Sequence, residues 1–296
     1  MTGVLLIDKP SGITSHDVVA RMRRVLQERS IGHTGTLDPM ATGLLVLVVG
    51  KATRLASLLS GGDKTYDATV RLGVATTTDD AEGEAIGDIA ADLPDDDAVR
   101  AALDMFRGTF SQLPPPYSAK KVDGVRAYRL VRQDKPVNLS PVDVTVRELA
   151  WLGRDGADVS VRVQATAGFY VRALARDIGA RLGCGAHLAS LRRTRSGSFD
   201  VNDAWRLDEA EAAGPATTAE RLISPADALP DLAAAEVTQA GLARVLHGNS
   251  LDQDHLVGIP PVQDASPLPV RLLSDGRLVA LARWRAGALH PVVVLG

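Results

Sequence analysis

The apolar positions near the start of the chain predict a strand followed by an amphipathic helix. Val4 to Asp8 form a short apolar run that is typical of a buried strand. Thr14 and Asp17 have the spacing of a helix capping box, in which each side chain bonds the backbone amide of the other residue. Apolar residues then recur at helical spacing, at Val18, Met22 and Val25.

Strand and helix patterns alternate through the middle of the chain. Leu44–Val49 is a continuous apolar run that predicts a buried strand. Tyr66–Leu72 alternates, so every second side chain from Tyr66 onward faces one side of a sheet. Two more strands are predicted at Val144–Leu152 and Ala157–Thr166. A helix is predicted after Gly168, with an apolar face made of Val171, Leu174, Ala175, Ile178 and Leu182.

The C-terminal part has the pattern of a small β-rich domain. A stretch rich in alanine, proline and acids, from Trp205 to about Asp231, predicts a helical connector. Glu236–His247 predicts a helix, and the turn Ser274–Arg277 predicts a hairpin. We therefore expect an α+β protein with a larger domain at residues 1–228 and a β-rich domain at residues 229–296.

The composition is that of an ordinary globular protein, with 45% hydrophobic and 23% charged residues. The single cysteine, Cys184, excludes an internal disulfide and fits a reducing compartment. No Cys/His cluster has zinc-ligand spacing, and no apolar run has the length of a leader peptide or a membrane span. We expect a cytoplasmic monomer that needs no metal and no cofactor.

Charges are segregated along the chain, although the net charge is only -3. Asp79–Asp97 contains many carboxylates and neither Lys nor Arg, which predicts an exposed acidic loop. Lys120–Lys135 is strongly basic, and a second basic cluster contains Arg192, Arg193 and Arg195. Phosphate contacts require local positive potential rather than a positive total. The two clusters are compatible with a nucleic-acid partner and equally with solvated surfaces.

One carboxylate lies in a segment whose backbone must be unusual. Asp38 precedes Pro39, and proline holds the residue before it in extended or turn backbone. The surrounding segment Gly32–Gly43 also contains Gly35, so its backbone can take paths closed to other residues. Such a bend suits a group that a substrate must approach closely. A carboxylate that only caps a turn is the alternative, and this pattern alone does not decide between them.

Several segments resemble, in the right order, the motifs of the TruB family of tRNA pseudouridine synthases. The segment GHTGTLDPMATG at Gly32–Gly43 resembles the central motif of that family, and Lys9–Ser15 resembles its first motif. Further matches are Lys64-x-Tyr66, Pro114–Lys121, Gly124–Tyr128, Gly168–Arg172 and Leu191–Arg193. Together they cover residues 3 to about 200.

The resemblance implies both a fold and a reaction. The implied fold is the pseudouridine synthase fold, in which helices flank a mixed, largely antiparallel sheet. It carries an RNA-contacting insertion at about residues 114–142 and a small PUA-like RNA-binding domain at the C-terminus. The implied reaction isomerises a uridine in the T-loop of tRNA to pseudouridine, which requires no redox change and no metal. The implied partner is the T-arm of tRNA, without any membrane.

The resemblance also assigns roles to individual side chains. Asp38 is implied as the catalytic carboxylate, Arg172 as its cationic partner, and Tyr66 as a catalytic side chain that stacks on the base. His33 would enter the T-loop and fill the space left by the flipped uridine. The residues expected to contact substrate are His33, Tyr66, Tyr170, Leu191, Lys9, Lys120 and Lys121. Phe169 stands where the family usually has Thr, which removes a hydroxyl beside the pocket.

Two other functions are compatible with many of the same residues. An RNA-binding or tRNA-folding module, with catalysis secondary or absent, would use the basic segment. Such a module has no need of a buried carboxylate near phosphate, so the set of Asp38, Tyr66 and Arg172 disfavours it. An RNA-guided relative of the same superfamily would act within a protein–RNA complex. The lack of long basic tails favours a stand-alone enzyme instead.

Overall fold

The computed structural model describes residues 1–117, 139–258 and 268–296, together with the backbone of residues 121–122 and 125–126. Lys120 and the side chain of Lys121 lie outside the described residues, as does most of the predicted insertion. The helices are α1 (Ser15–Leu26), α2 (Ala56–Ser60), α3 (Asp96–Asp104), α4 (Val171–Leu182), α5 (Leu207–Glu220) and α6 (Gln239–Leu246).

The strands in the first half of the chain are β1 (Gly3–Lys9), β2 (Ile31–His33), β3 (Thr42–Val49), β4 (Lys64–Leu72), β5 (Ala75–Thr76), β6 (Ala85–Ile86), β7 (Gly108–Gln112), β8 (Lys121–Val122) and β9 (Val125–Arg126). Those in the second half are β10 (Val142–Asp155), β11 (Asp158–Ala165), β12 (Ala186–Ser196), β13 (Phe199–Asp200), β14 (Trp205–Arg206), β15 (Ala234–Val237), β16 (Leu256–Val257), β17 (Val270–Ser274), β18 (Arg277–Arg285) and β19 (Ala288–Val294). Short 3-10 turns at Gly50–Leu55, Val201–Asp203 and Gln253–His255 complete the regular structure.

A large mixed sheet forms the centre of the protein. Its strand order is β14-β1-β3-β12-β4-β11-β10-β7, with β2 paired to β3 and β13 paired to β12. Only the β1–β14 and β3–β12 pairs are parallel, and the other neighbouring pairs are antiparallel. The predicted mixed, largely antiparallel sheet flanked by helices is therefore confirmed.

Helices cover this sheet in two places and bury its apolar side chains. Helix α1 packs Val18 and Met22 against Leu5 and Leu47 of β1 and β3. Helix α4 packs its apolar face, including Leu174, against the β4–β11–β10 half of the sheet. Each such leucine or valine contributes about 1.5–3 kcal/mol when it is fully buried. The catalytic candidates Tyr66 and Arg172 belong to this second half.

The C-terminal region forms a separate five-stranded sheet in the order β16-β15-β17-β18-β19. Leu278 and Leu281 of this sheet pack in one apolar cluster with Val4 and Val46 of the large sheet. The β-rich character of this region is confirmed, and the domain boundary near residue 228 stays a prediction. In residues 1–117, 139–258 and 268–296, no helix is long and apolar enough to cross a membrane.

Most predicted elements are present. The Thr14–Asp17 capping box is confirmed in full, and so is the hairpin across Asp275 and Gly276. The helix predicted from Glu236 is wrong at its start, because Glu236 belongs to β15 and the hydroxyl of Thr238 caps α6. The central strand β12 was not predicted, since its polar second half, from Arg192 to Ser196, lacks the alternation of a half-buried strand.

Gly43 allows the close approach of β3 and β12 that brings the halves of the sheet together. Its φ is +97°, and a Cβ at this position would lie 2.3 Å from the carbonyl oxygen of Arg193. We predict that Gly43→Ala lowers the free energy of unfolding by about 3 kcal/mol or more, because backbone atoms cannot move aside cheaply. Gly12→Ala is the matched control, with φ +85° and open space around the new methyl group. Urea unfolding of both variants tests this, and equal losses would contradict it.

Candidate active site

The loop that presents Asp38 is fixed to the protein by a buried serine. The backbone amide of Leu37 donates to Ser15 Oγ at 2.8 Å, and Ser15 Oγ donates to the Leu37 carbonyl at 3.0 Å. Ser15 is the first residue of α1, so the helix holds the residue that immediately precedes Asp38. Satisfied buried polar groups of this kind fix one backbone conformation. The loop therefore presents its carboxylate on a rigid support.

A buried ammonium supports the other side of the same loop. Lys9 Nζ donates to the carbonyls of Pro10, Ile13 and Pro39, at 2.9, 2.7 and 3.2 Å. Burial lowers the pKa of Lys9 to about 8, although the negative charge of Asp38 acts in the opposite direction. An ammonium has three donors, and all three are used within the protein. These bonds hold the loop, and the predicted contact of Lys9 with substrate stays a prediction.

Arg172, the second residue of α4, forms an ion pair with Asp38. Its Nε lies 2.9 Å from Asp38 Oδ2, which confirms the predicted pairing across the fold. The same guanidinium donates to the carbonyls of Thr78 and Tyr117, at 3.1 and 2.7 Å, and lies 3.5 Å from Asp80 Oδ2. Its side chain is only 6% exposed, so every one of these partners offsets the cost of burying the charge.

The Asp38 carboxylate remains open to the cleft, with 35% of its side chain exposed. Burial raises the pKa of Asp38 above its ordinary value. The charge of Arg172 opposes that rise, and the nearby carboxylate of Asp80 adds to it. Asp38 is therefore a carboxylate that is held by one cation, accessible to a ligand and more basic than a surface aspartate.

The start of the acidic stretch is buried, which corrects the prediction of an exposed loop from Asp79 onward. Asp80 is 3% exposed and lies beside Arg172, and Asp79 lies 3.1 Å from Arg176. Arg172 and Arg176 share a face of α4, as predicted, and that face needs negative partners because it is buried. The stretch is mainly exposed from Ala81 onward, as Glu82 and Asp88 show.

A cleft of about 270 Å³ opens beside this ion pair. Its walls include Asp38, Tyr66, Phe169, Tyr170, Arg172 and Leu191, so five predicted site residues meet in one place. Tyr66 comes from β4 and Leu191 from β12, whereas Tyr170 immediately precedes α4. Phe169 contributes an apolar ring where the family pattern has a hydroxyl. The cleft combines aromatic walls with the Asp38–Arg172 pair and the cations Lys64 and Arg193. Apolar and aromatic walls with a few convergent polar groups are typical of a site for a small ligand.

His33 lies outside this cleft wall. It is half-buried at the end of β2, opposite Leu47 of β3, five residues before Asp38. Its predicted entry into the T-loop stays a prediction.

The sequence did not predict the buried residues that hydrogen-bond or pair with the residues of the cleft wall. Gln112, which is fully buried, accepts from the amide of Tyr170 at 2.9 Å and donates to its carbonyl at 3.1 Å. Asp80 and Ser15 are further examples. Their partners lie far away in the chain, so no local pattern could have revealed them. In the described parts of the chain, no group of three or more His, Cys, Asp and Glu residues is arranged to hold a metal ion.

This sheet and this cleft define an enzyme site that holds a carboxylate against a guanidinium beneath aromatic walls. The sequence model of the TruB family pseudouridylate synthase N-terminal domain matches residues 23–171. The model of the tRNA pseudouridylate synthase B C-terminal domain matches residues 172–229. The chain belongs to the TruB family of pseudouridylate synthases.

Individual relatives cover nearly the whole chain. The chain is 46% identical to tRNA pseudouridine synthase B of Thermobifida fusca (strain YX), over 99% of this chain and 98% of the relative. It is 44% identical to tRNA pseudouridine synthase B of Burkholderia mallei (strain NCTC 10247), over 100% and 98% of the two chains. Among solved structures, a chain of a Cbf5–Nop10–Gar1 complex has a TM-score of 0.74 at 26% identity. That match covers 99% of this chain and 85% of the other.

Ser15 provides a test of the rigid support. We predict that Ser15→Ala lowers the free energy of unfolding by about 1–3 kcal/mol, since the amide and carbonyl of Leu37 lose their buried partner. Ser11→Ala is the matched control, because Ser11 is exposed and makes a single bond to the Met40 carbonyl. Thermal and urea unfolding measure the difference. If both variants had the stability of the unmodified protein, Ser15 would not support the loop.

Proposed function

We propose that this protein isomerises a uridine in the T-loop of tRNA to pseudouridine, with Asp38 as the catalytic carboxylate. The observation that carries the proposal is the Asp38–Arg172 pair at 2.9 Å on the wall of the 270 Å³ cleft. The 43–46% identity to proteins named tRNA pseudouridine synthase B supports tRNA as the substrate. The expected place of action is the cytoplasm, and a monomer suffices because one chain supplies all the cleft residues.

The reaction needs an ionised carboxylate and no external reactant. The bond from ribose C1′ to N1 of uracil breaks, the base rotates, and C1′ joins C5 of the same base. The hydrogen on C5 leaves as a proton, and N1 gains one, so atoms and electrons balance within the nucleotide. Asp38 acts on the sugar or on the base, and both routes use its negative charge. Arg172 keeps that charge present in a partly buried site.

The cleft residues hold the base while it is detached. The small volume of the cleft admits a single nucleotide and not a duplex. The uridine must therefore leave its stack before it can enter the cleft. Tyr66 would stack on the uracil ring, which contributes about 1–3 kcal/mol per base, and its hydroxyl would assist proton transfer. Tyr170 and Leu191 would close the walls around the ring. His33 would occupy the space that the flipped base leaves in the T-loop.

The T-arm would be bound chiefly through phosphate. Lys120 and Lys121 belong to the basic segment and would neutralise phosphates of the T-arm, which makes binding salt-dependent. The solved structures related to this chain include Cbf5 from archaeal box H/ACA complexes, at 27% identity. The higher identity to tRNA pseudouridine synthase B, over nearly the full length of both chains, favours the stand-alone enzyme.

Asp38→Asn tests the proposal directly. The amide keeps the shape of the carboxylate and loses its charge, so we expect no measurable pseudouridine in an unmodified tRNA transcript. We expect the dissociation constant for that tRNA to change by less than about threefold, which is under 1 kcal/mol. Asp158→Asn, in an exposed ion pair with Arg71, is the control and should keep full activity.

Three outcomes distinguish the candidate functions. Loss of product with retained binding supports catalysis by Asp38. Normal turnover by Asp38→Asn would show that another group carries the reaction. Binding without any product, even by the unmodified protein, would favour the RNA-binding module instead.

A further inference from the structure

Arg193 is a buried cation for which the proposed chemistry has not yet supplied a role. It is 2% exposed and is among the largest fully buried side chains of the described residues. Its Nε donates to the Leu44 carbonyl at 2.7 Å, and one terminal nitrogen donates to the Gly35 carbonyl at 3.0 Å. No carboxylate in the described parts of the chain forms an ion pair with it. A charge buried without a counter-ion is costly, so its other contacts matter.

The most informative of those contacts is with Tyr66. Arg193 on β12 lies directly opposite Tyr66 on β4, so the two side chains project from the same face of the sheet. The guanidinium of Arg193 and the Tyr66 side chain both reach the cleft, so the two groups lie side by side there. Arginine can only donate, so in a hydrogen bond between the two groups the phenolic oxygen is the acceptor. The proton of Tyr66 would then point away from Arg193.

The same guanidinium contacts the loop that carries Asp38. Besides Gly35, a second nitrogen lies 3.5 Å from the Thr36 carbonyl, two residues before the catalytic candidate. Both Arg193 and Tyr66 line the cleft, together with Asp38. Gly43 makes this arrangement possible, because any side chain there would collide with the backbone of Arg193. One buried side chain therefore links the supports of both proposed catalytic groups.

We propose that Arg193 is a positioning residue for the isomerisation, which fixes the Tyr66 hydroxyl as a hydrogen-bond donor into the cleft while it holds the Gly35–Thr36 backbone. The proposal rests on the proposed function and adds a residue that acts through others. Arg193 is 2% exposed, so it acts on the substrate through Tyr66 and the Gly35–Thr36 backbone. Its contribution is to remove the rotational freedom of the Tyr66 hydroxyl before the base arrives.

A double-mutant cycle between Arg193 and Tyr66 tests this role. Arg193→Lys keeps a positive charge but cannot span Tyr66 and the Gly35 carbonyl together. We expect the single-turnover rate on tRNA at saturating enzyme to fall by about tenfold or more, the scale of coupling between residues in contact. In a Tyr66→Phe background, Arg193→Lys should lower the single-turnover rate by a factor several-fold smaller, because the hydroxyl that Arg193 positions is absent. The dissociation constant for tRNA should stay within about threefold of the parent value.

The controls separate positioning from folding and from RNA binding. Arg71 lies at an exposed position on β4, so Arg71→Lys should leave the single-turnover rate unchanged. Arg193→Met removes the buried charge and keeps the side-chain volume. If Arg193→Lys does not fold, Arg193→Met takes its place in the double-mutant cycle with Tyr66→Phe. If both variants unfold, Arg193 is a core residue and the proposal is wrong.

The remaining outcomes are equally decisive. If Arg193→Lys lowered the single-turnover rate by the same factor with and without the Tyr66 hydroxyl, the proposal would be overturned, because Arg193 would then act independently of Tyr66. A loss confined to tRNA binding would make Arg193 an RNA contact instead. The proposed function is judged separately, by the activity of the unmodified protein and of Asp38→Asn.

Discussion

The arrangement of the site depends on one buried guanidinium, that of Arg172. A charge removed from water must be neutralised, and Arg172 finds its partners on three different segments of the chain. It pairs with Asp38 and Asp80 and donates to the carbonyls of Thr78 and Tyr117. Each segment is drawn toward the N-terminal end of α4. The catalytic candidate is thus placed by the electrostatic requirement of a residue more than a hundred positions away in sequence.

Two further buried cations stabilise the loop around Asp38 without neutralising it. Lys9 and Arg193 direct their donors at backbone carbonyls of the loop and its neighbours. Backbone carbonyls attract a cation without bearing a full charge, so the bend is held while Asp38 keeps only Arg172 as its ion-pair partner among the described residues. The raised pKa of Asp38 follows from this balance, since burial, aided by the charge of Asp80, outweighs the opposing charges of Arg172 and Lys9. A carboxylate of this kind is available to react, because 35% of its side chain is exposed.

The sequence predicted those features that are encoded locally. The capping box at Thr14 and the alternation of β4 both depend on nearby residues, and both are present. The pairing of Asp38 with Arg172 was predicted through the family resemblance and a charge argument. Burial of Asp80 and the support from Gln112 could not be predicted, because they depend on long-range packing. The central strand β12 could not be predicted from its polar second half. The arginines there are stabilised by carbonyls and carboxylates of distant segments, which no local pattern reveals.

The pH dependence of single-turnover pseudouridine formation tests most directly whether Asp38 is the reacting carboxylate. Its pKa lies above the ordinary 3.8, so the rate should fall as the pH drops through that raised value, where Asp38 takes up a proton. Asp80 contributes to the rise, and Asp80→Asn should therefore move the acid limb to lower pH. An acid limb at the same pH in both proteins, or none down to an ordinary aspartate pKa, would contradict the account.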